Sequence, residues 1–170
     1  MHRPAELLLC LALLATALPA LAEKADKDKP VNLEADSLRV DDASRTAVYE
    51  GHVVLTQGSL MLTADRIEVR QDGQGFASGD ASGKPAYFRQ KMDGRNEYAE
   101  GWAERIEYDS RAEKLRLTGQ ARLKRGEEEL RGNLIAYEGK SGFYQAQGGN
   151  GRVRAVIRPK SLSGGTAVKP

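Results

Sequence analysis

The sequence is poor in the residues that carry most catalytic and metal chemistry. Its 170 residues include one cysteine, Cys10, and two histidines, His2 and His52. Cys10 and His2 fall within an N-terminal segment that we expect to be removed, which leaves one histidine and no cysteine. A Cys–His catalytic pair, a disulfide and a zinc site with the usual His and Cys ligands are then excluded. We predict that the protein is not an enzyme and that it has no metal site and no cofactor.

Long apolar runs are also scarce. The run Leu7–Leu18 is shorter than the roughly 20 residues that a membrane-spanning helix needs. It follows His2 and Arg3 and precedes Ala20-Leu21-Ala22, a pattern typical of a cleavable export signal. We therefore predict a signal peptide over residues 1–22 with cleavage after Ala22, a flexible charged lead-in over 23–30, a folded domain over 31–160 and a flexible tail over 161–170.

Helical periodicity is absent from the remainder, and short alternating segments replace it. Many short strands with closely spaced turns predict an all-β sandwich, jelly roll or open barrel. The clearest alternation is Lys114–Lys124, which we interpret as a pair of half-buried antiparallel strands interrupted at Gly119. The turn signals are Asp41-Asp42, Gln57-Gly58, Asp72-Gly73, Asp93-Gly94, Arg125-Gly126 and Gly139–Gly142.

An internal repeat organises this pattern. Residues 35–69 superpose on residues 103–137 without a gap, at an offset of 68 positions, so the chain is predicted to contain two repeated β units. His52 has Gln120 as its counterpart, and we predict that it is a surface strand residue. The identical pairs are Ala35/Ala103, Asp41/Asp109, Gly51/Gly119, Leu55/Leu123, Gly58/Gly126, Leu62/Leu130 and Ile67/Ile135.

The alternation changes phase at Ala35-Asp36, at Ala64-Asp65 and at Gly132-Asn133. Such a change predicts a bulge or a corner at which a strand bends around a curved sheet. Ala103-Glu104 fits this interpretation less well, because Trp102 and Ile106 keep one parity. Asp36 and Asp65 recur at the Ala-Asp step, and we expect them to have a structural role, such as accepting backbone N–H bonds at a bulge, and not an acid–base role.

Other motifs favour no further chemistry. Glu127-Glu128-Glu129 is predicted to be a solvated turn, and the glycine-rich stretch 73–80 lacks the strand-to-helix context of a phosphate loop. Basic residues are spread along polar strand faces and are not clustered with aromatic residues, so a nucleic-acid partner is not expected.

The inward-facing residues have two interpretations. They form either a packed core, which residue patterns alone favour, or the lining of a slightly open interior that holds an apolar guest. We predict that the lining comprises Val31, Leu33, Leu38, Val53, Leu55, Leu62, Ile67, Phe88, Ile106, Tyr108, Leu117, Leu123 and Ile135, with Val40, Val69, Leu115, Leu130 and Tyr137 also facing inward.

Several motifs, taken in order, resemble the LptA/OstA family of periplasmic lipopolysaccharide-transport proteins of Gram-negative bacteria. They are VNLEAD, YEGHVVLTQGSLMLTADRIEV, ASGKPAYFRQ and RVRAVIRPK, and the resemblance covers about residues 30–160. It implies a twisted, slightly open antiparallel β-jelly roll whose groove carries the acyl chains of lipopolysaccharide. It also implies lipid-facing roles for Val31, Leu33, Phe88 and Tyr108, whereas the other lining residues follow from alternation. Arg125 in place of Gln57 and Asn133 in place of Asp65 depart from the tighter pattern of the first repeat.

The first and last strands have no evident closing partner, and unpaired edges of this kind favour strand addition by another chain. The resemblance implies an LptC-like inner-membrane protein at the N-terminal edge, an LptD-like outer-membrane protein at the C-terminal edge, and head-to-tail self-association. The runner-up is a structural adaptor that joins envelope proteins without binding lipid. The predicted edge residues are Val31, Asn32, Leu33, Val153, Arg154, Ala155, Val156 and Ile157.

Overall fold

The computed structural model describes Asp26, residues 29–93 and residues 96–157. The predicted signal peptide, most of the lead-in and the tail after residue 160 lie outside these ranges. The strands are Asn32–Glu34 (β1), Ser37–Asp41 (β2), Thr46–Gln57 (β3), Leu60–Asp72 (β4), Gly75–Lys91 (β5), Tyr98–Asp109 (β6), Lys114–Arg125 (β7), Glu128–Glu138 (β8), Phe143–Gln147 (β9) and Arg154–Val156 (β10).

All ten strands belong to one sheet with antiparallel pairing throughout. Its order is β1-β3-β4-β5-β6-β7-β8-β10, while β2 pairs with β3 and β9 pairs with β8. Most neighbours in the sheet are also neighbours in sequence, as expected for strands joined by tight hairpins. The sheet does not close on itself, because β1 and β10 lie at its opposite ends. The predicted twisted, slightly open antiparallel β-jelly roll is confirmed.

The long strands all bend along one line across the sheet, which we call the corner line. Register shifts mark it between Glu50 and Val53 in β3, between Trp102 and Arg105 in β6, and at equivalent points of β4, β5 and β7. One side of the corner line carries β1 and β10, and the other carries β2 and β9. Buried residues from both sides form a single core cluster, so the bend brings the two inner faces together.

Two sequence interpretations of the corners were wrong. Lys114–Lys124 is one continuous strand bent at Gly119 and is not a strand pair. Ala103-Glu104 is a full corner, because Trp102 lies beside Arg122 on the outer face whereas Ile106 lies beside Leu117 in the core. The position looked unbroken in sequence because Trp102 and Ile106 share a parity, but the extra residue in the bulge places them on opposite faces of the sheet.

The predicted repeat is confirmed in backbone geometry. β3 and β7 have bounds that differ by the repeat offset, and Gly51 and Gly119 have φ angles of 82° and 81°. The residues that follow, His52 and Gln120, also take positive φ angles, of 46° and 47°. Both corners are therefore built by the same unusual two-residue conformation, which glycine adopts without steric cost.

Gly119→Ala is expected to destabilise the protein by about 1–2 kcal/mol, since its φ angle is unfavourable for any residue with a Cβ. An added Cβ would also lie 2.5 Å from Oε2 of Glu104. Chemical denaturation measures the change. Gly73→Ala is the matched control, because nothing lies within 4 Å of its Cβ position, and its stability should stay unchanged or rise slightly. Equal losses in the two variants would contradict the special role of the corner.

Candidate apolar groove and edge strands

The register aligns inward side chains into apolar rows that cross the whole sheet. On the β1–β10 side of the corner line, each residue of the row faces the next across one strand pair. This first row consists of Leu33, Leu55, Leu62, Phe88, Gly101, Leu123, Leu130 and Ala155.

Two further rows lie on the β2–β9 side. The second row is Leu38, Tyr49, Ile67, Ala81, Ile106, Leu117, Ile135 and Ala146, and the third is Val40, Ala47, Val69, Gly79, Tyr108, Leu115, Tyr137 and Tyr144. No charged residue interrupts any of the three rows. The inner face is therefore a continuous apolar track from the N-terminal to the C-terminal edge of the sheet.

Burial varies along and between the rows. Leu117 and Ile135 in the second row are completely buried, whereas Leu38 and Val40 at the N-terminal edge are more than half exposed. Leu55, Leu62, Leu115 and Leu130 are half-buried and pack against the core. The interior thus combines a packed centre with apolar surface that stays accessible towards the hairpins and edges.

Glycines make room for aromatic rings in these rows. Phe88 lies over Gly101, where any Cβ would collide with its ring. Phe76 covers Gly79 and stacks on Tyr108 with ring centroids 6.3 Å apart. Phe76 was not among the residues predicted from the sequence, although it lies in the glycine-rich stretch 73–80.

The thirteen predicted lining residues differ in their environments. Leu33, Leu55 and Leu62 pack against the buried cluster, while Val31 and Leu38 are exposed at the N-terminal edge and Tyr108 stacks on Phe76. The remaining seven are themselves buried core residues: Val53, Ile67, Phe88, Ile106, Leu117, Leu123 and Ile135.

The buried alanines of the cluster were not among the predicted lining residues. They are Ala64, Ala81, Ala86, Ala103 and Ala121. Four of them lie on or next to the corner line, where small side chains let the two inner faces approach closely. The sequence signal that could have identified them is their position in the alternating pattern, which places their side chains on the inner face.

The predicted edge residues lie at the two ends of the sheet. β1 pairs with β3 on one side, β10 pairs with β8 on one side, and no other described strand pairs with either. Val31, Val153 and Ile157 flank these strands and do not belong to them. Large exposed apolar side chains concentrate here, with Ile157 being 77% exposed.

His52 is an exposed bulge residue that binds a neighbouring carboxylate. It lies in the β3 bulge with its side chain 92% exposed, and its Nδ1 is 2.8 Å from Oδ2 of Asp36, a hydrogen bond that raises the pKa of His52. Gln120 repeats the contact by donating to Glu104 at 3.1 Å. Asp36 makes structural contacts at the bulge, as expected, but its carboxylate binds the His52 side chain, and its own backbone N–H donates to the Gly51 carbonyl.

The described residues contain no group of three or more His, Cys, Asp or Glu side chains placed to hold a metal ion. Among the same residues, no helix has the length and apolar character needed to cross a membrane.

The outer face corrects two further expectations. Glu129 is not in a solvated turn, because it lies in β8 and accepts hydrogen bonds from Arg131 and, at 2.7 Å, from Arg122. The bond from Arg122 is the main cause that lowers the pKa of Glu129. Basic and aromatic residues do cluster, since the Arg122 guanidinium lies 4.6 Å from the centre of the Trp102 ring. The contacts of Arg122 with Trp102 and with Glu129 both join residues on neighbouring strands, so they depend on how the strands are aligned in the sheet.

An open antiparallel β-jelly roll with an uninterrupted apolar inner face and two free edges defines a class of extended apolar-groove proteins. The family described as "LptA/(LptD N-terminal domain) LPS transport protein" matches residues 32–143. The chain belongs to this family.

Individual relatives agree with this assignment. The chain is 34% identical over 159 residues to the lipopolysaccharide export system protein LptA of Escherichia coli (strain K12), covering 92% of this chain and 85% of that one. It is 32% identical over 150 residues to LptH of Pseudomonas aeruginosa, covering 83% and 86%. The crystal structure of LptH, described as a periplasmic component of a lipopolysaccharide transport device, superposes with a TM-score of 0.71 at 30% identity, over 79% of this chain and 99% of that one.

Proposed function

We propose that this protein is a periplasmic lipopolysaccharide-binding bridge. It shields the acyl chains of lipid A in its apolar groove and passes the lipid from the inner membrane towards the outer membrane for outer-membrane assembly. The observation that carries the proposal is the set of three apolar rows that cross the sheet without a charged residue. The family membership and the predicted export signal support the same role and the same compartment.

Simple energetics explain why such a track suits the task. Each acyl CH₂ exposed to water costs about 0.8 kcal/mol, so a lipid with several chains does not cross an aqueous space unescorted. Aliphatic side chains of similar size give binding sites of similar depth, which lets the lipid move from one to the next. The relatives are transport proteins by name, which fits a non-enzymatic role, and directionality must come from an energy source elsewhere.

Photo-crosslinking in living cells tests the proposal. A photoreactive amino acid at Leu115, which is half-buried in the third row, should give lipopolysaccharide adducts. The same amino acid at the next position, the exposed outer-face Arg116, should give none. Protein adducts alone from Leu115, at normal expression, would support the adaptor that joins envelope proteins without binding lipid.

The partners belong to the same proposal. An LptC-like protein would add a strand at β1 and an LptD-like protein at β10, and a second copy would fit in the same way. Antiparallel pairing of β10 with β1 of the next copy would place Ala155 opposite Leu33 and so extend the first row. The same register would place Arg154 opposite Glu34, an oppositely charged cross-strand pair.

Charge reversal at this pair is expected to weaken self-association. Glu34→Arg or Arg154→Glu alone would place like charges opposite each other and reduce the association constant by about two- to fivefold, the range for exposed pairs. The double variant should recover most of the loss. Sedimentation equilibrium measures the constant, with Arg116→Glu as an outer-face control far from both edges. A double variant no better than the single ones would rule out this register.

A further inference from the structure

The outer face carries a cavity of about 1230 Å³ beside the corner line. Its lining includes the backbone of Gly83, Gly119 and Gly132 together with the side chains of Trp102 and Arg122. Trp102 and Arg122 face each other across β6 and β7 and alternate with buried inward residues such as Ala103 and Ala121. The cavity therefore lies on the opposite side of the sheet from the apolar rows.

Its lining is strongly cationic. Among the described lining residues, the basic ones are Lys84, Arg122, Arg131, Arg152 and Arg154, and the acidic one is Glu104. A second outer-face hollow is balanced in charge, with Glu68, Asp80, Glu107 and Asp109 set against Arg70, Arg105, Lys114 and Arg116. The positive excess therefore distinguishes this cavity from the second hollow.

Much of this positive charge lacks a partner within the described chain. Glu129 pairs with Arg122 and Arg131, and Glu104 is engaged by Gln120. No described residue forms an ion pair or a hydrogen bond with the side chains of Lys84, Arg152 and Arg154.

We propose that this cavity binds a phosphate group carried on a saccharide. Arginine guanidinium groups match phosphate oxygens with paired hydrogen bonds, and Lys84 adds a mobile point charge at the rim. Glycine backbone lets a sugar ring approach closely, and the half-buried Trp102, whose ring packs against Tyr87 and Arg122, borders the cavity. The volume accommodates a few sugar units, whereas a nucleic acid would need an extended basic track.

Two sources could supply this chemistry, namely the phosphorylated headgroup of lipopolysaccharide and free phosphate. The first source is the one we infer, and in that respect the inference rests on the proposed function. The headgroup would be held on the outer face near β10 once its acyl chains have left the inner rows, because the sheet separates the cavity from those rows.

The single tryptophan of the chain makes the test direct, since Trp102 lines the cavity. The full exported chain is titrated with the deacylated, phosphorylated disaccharide of lipid A, with the same disaccharide after phosphatase treatment, and with inorganic phosphate. Trp102 fluorescence and its indole N–H resonance report binding. We expect saturable binding of the phosphorylated disaccharide. The dephosphorylated disaccharide and inorganic phosphate should each bind at least about tenfold more weakly, because each lacks one set of contacts, either the charge-assisted hydrogen bonds to phosphate or the contacts to the sugar.

Matched variants locate the site. Lys84→Gln combined with Arg152→Gln removes two exposed cations and no buried side chain, and it should weaken disaccharide binding by about tenfold or more. Arg116→Gln, the same change in the balanced hollow, should leave the affinity unchanged. Equal thermal stability of all variants shows that folding is intact.

Four outcomes would overturn the inference. Equal binding of the dephosphorylated disaccharide removes the phosphate requirement, and equal binding of inorganic phosphate removes the saccharide requirement. Unchanged binding by the double variant moves the site elsewhere. Tighter binding of an acidic peptide would make the cavity a protein-docking surface. Because the probe lacks acyl chains, each of these outcomes is independent of lipid crosslinking at Leu115.

Discussion

Leu117→Ala is expected to lower the free energy of unfolding by about 3 kcal/mol or more. Leu117 is completely buried and lies between Ile106 and Ile135 in the second apolar row. Strands held by hydrogen bonds on both sides cannot collapse fully into the space that the substitution opens, so a cavity penalty adds to the lost burial. Urea denaturation followed by circular dichroism measures the change.

Val40→Ala is the control for that substitution, because Val40 lies near the end of the third row and is 58% exposed. Its loss should stay below about 0.5 kcal/mol, as for surface changes in general. Similar losses for the two variants would show that the second row is not the folding core. The expected contrast separates the part of the interior that stabilises the fold from the part that is free to contact a guest.

The Asp-containing turns show how much of the fold the sequence could predict. Asp41 was recognised as a turn residue, and its Oδ1 accepts the backbone N–H groups of Ala43 and Ser44. Asp109, its repeat partner, was not recognised, yet its Oδ1 accepts those of Arg111 and Ala112 in the same way. Shifting the first turn by the repeat offset would have located the second. Local side-chain-to-backbone bonds of this kind are readable from sequence because the partners are two or three residues apart.

Contacts across strands could not be predicted in the same way. Trp102, Arg122 and Arg131 lie in one outer row, but alternation within each strand shows only which face a residue occupies. Their pairing depends on hairpin register and on the extra residues in each bulge, both of which shift neighbours by whole positions. For this reason the basic cluster beside Trp102 was missed, whereas the inward leucines and isoleucines were found.

The same distinction affects which substitution tests the groove. The sequence suggested Phe88 and Tyr108 as lipid-facing positions at which to test the groove, but Phe88 is a buried member of the core cluster. A charge there would unfold the protein whether or not lipid binds, since a buried unpaired carboxylate is very costly. A diagnostic position must face inward and remain half-hydrated, and Leu62 meets both conditions.

Leu62→Asp is expected to abolish lipopolysaccharide passage while the protein stays folded. In the free protein the carboxylate keeps contact with water, so the protein should stay folded, although it loses the packing that the half-buried Leu62 contributes. Acyl chains moving along the first row would have to cover this charge, at a cost of several kcal/mol and a loss of about 100-fold or more in occupancy. Because the sites act in series, one blocked position is enough. Complementation of a depleted strain and lipid crosslinking at Leu115 measure the effect.

Thr63→Asp provides the matched control, because Thr63 is adjacent in sequence and faces outward beside Tyr87. It should complement normally and leave crosslinking at Leu115 intact. Normal complementation by Leu62→Asp as well would mean that acyl chains do not travel along the first row. Failure of both variants, with folding preserved, would place the defect in assembly with partners, because only the inner-face charge lies on the proposed lipid path.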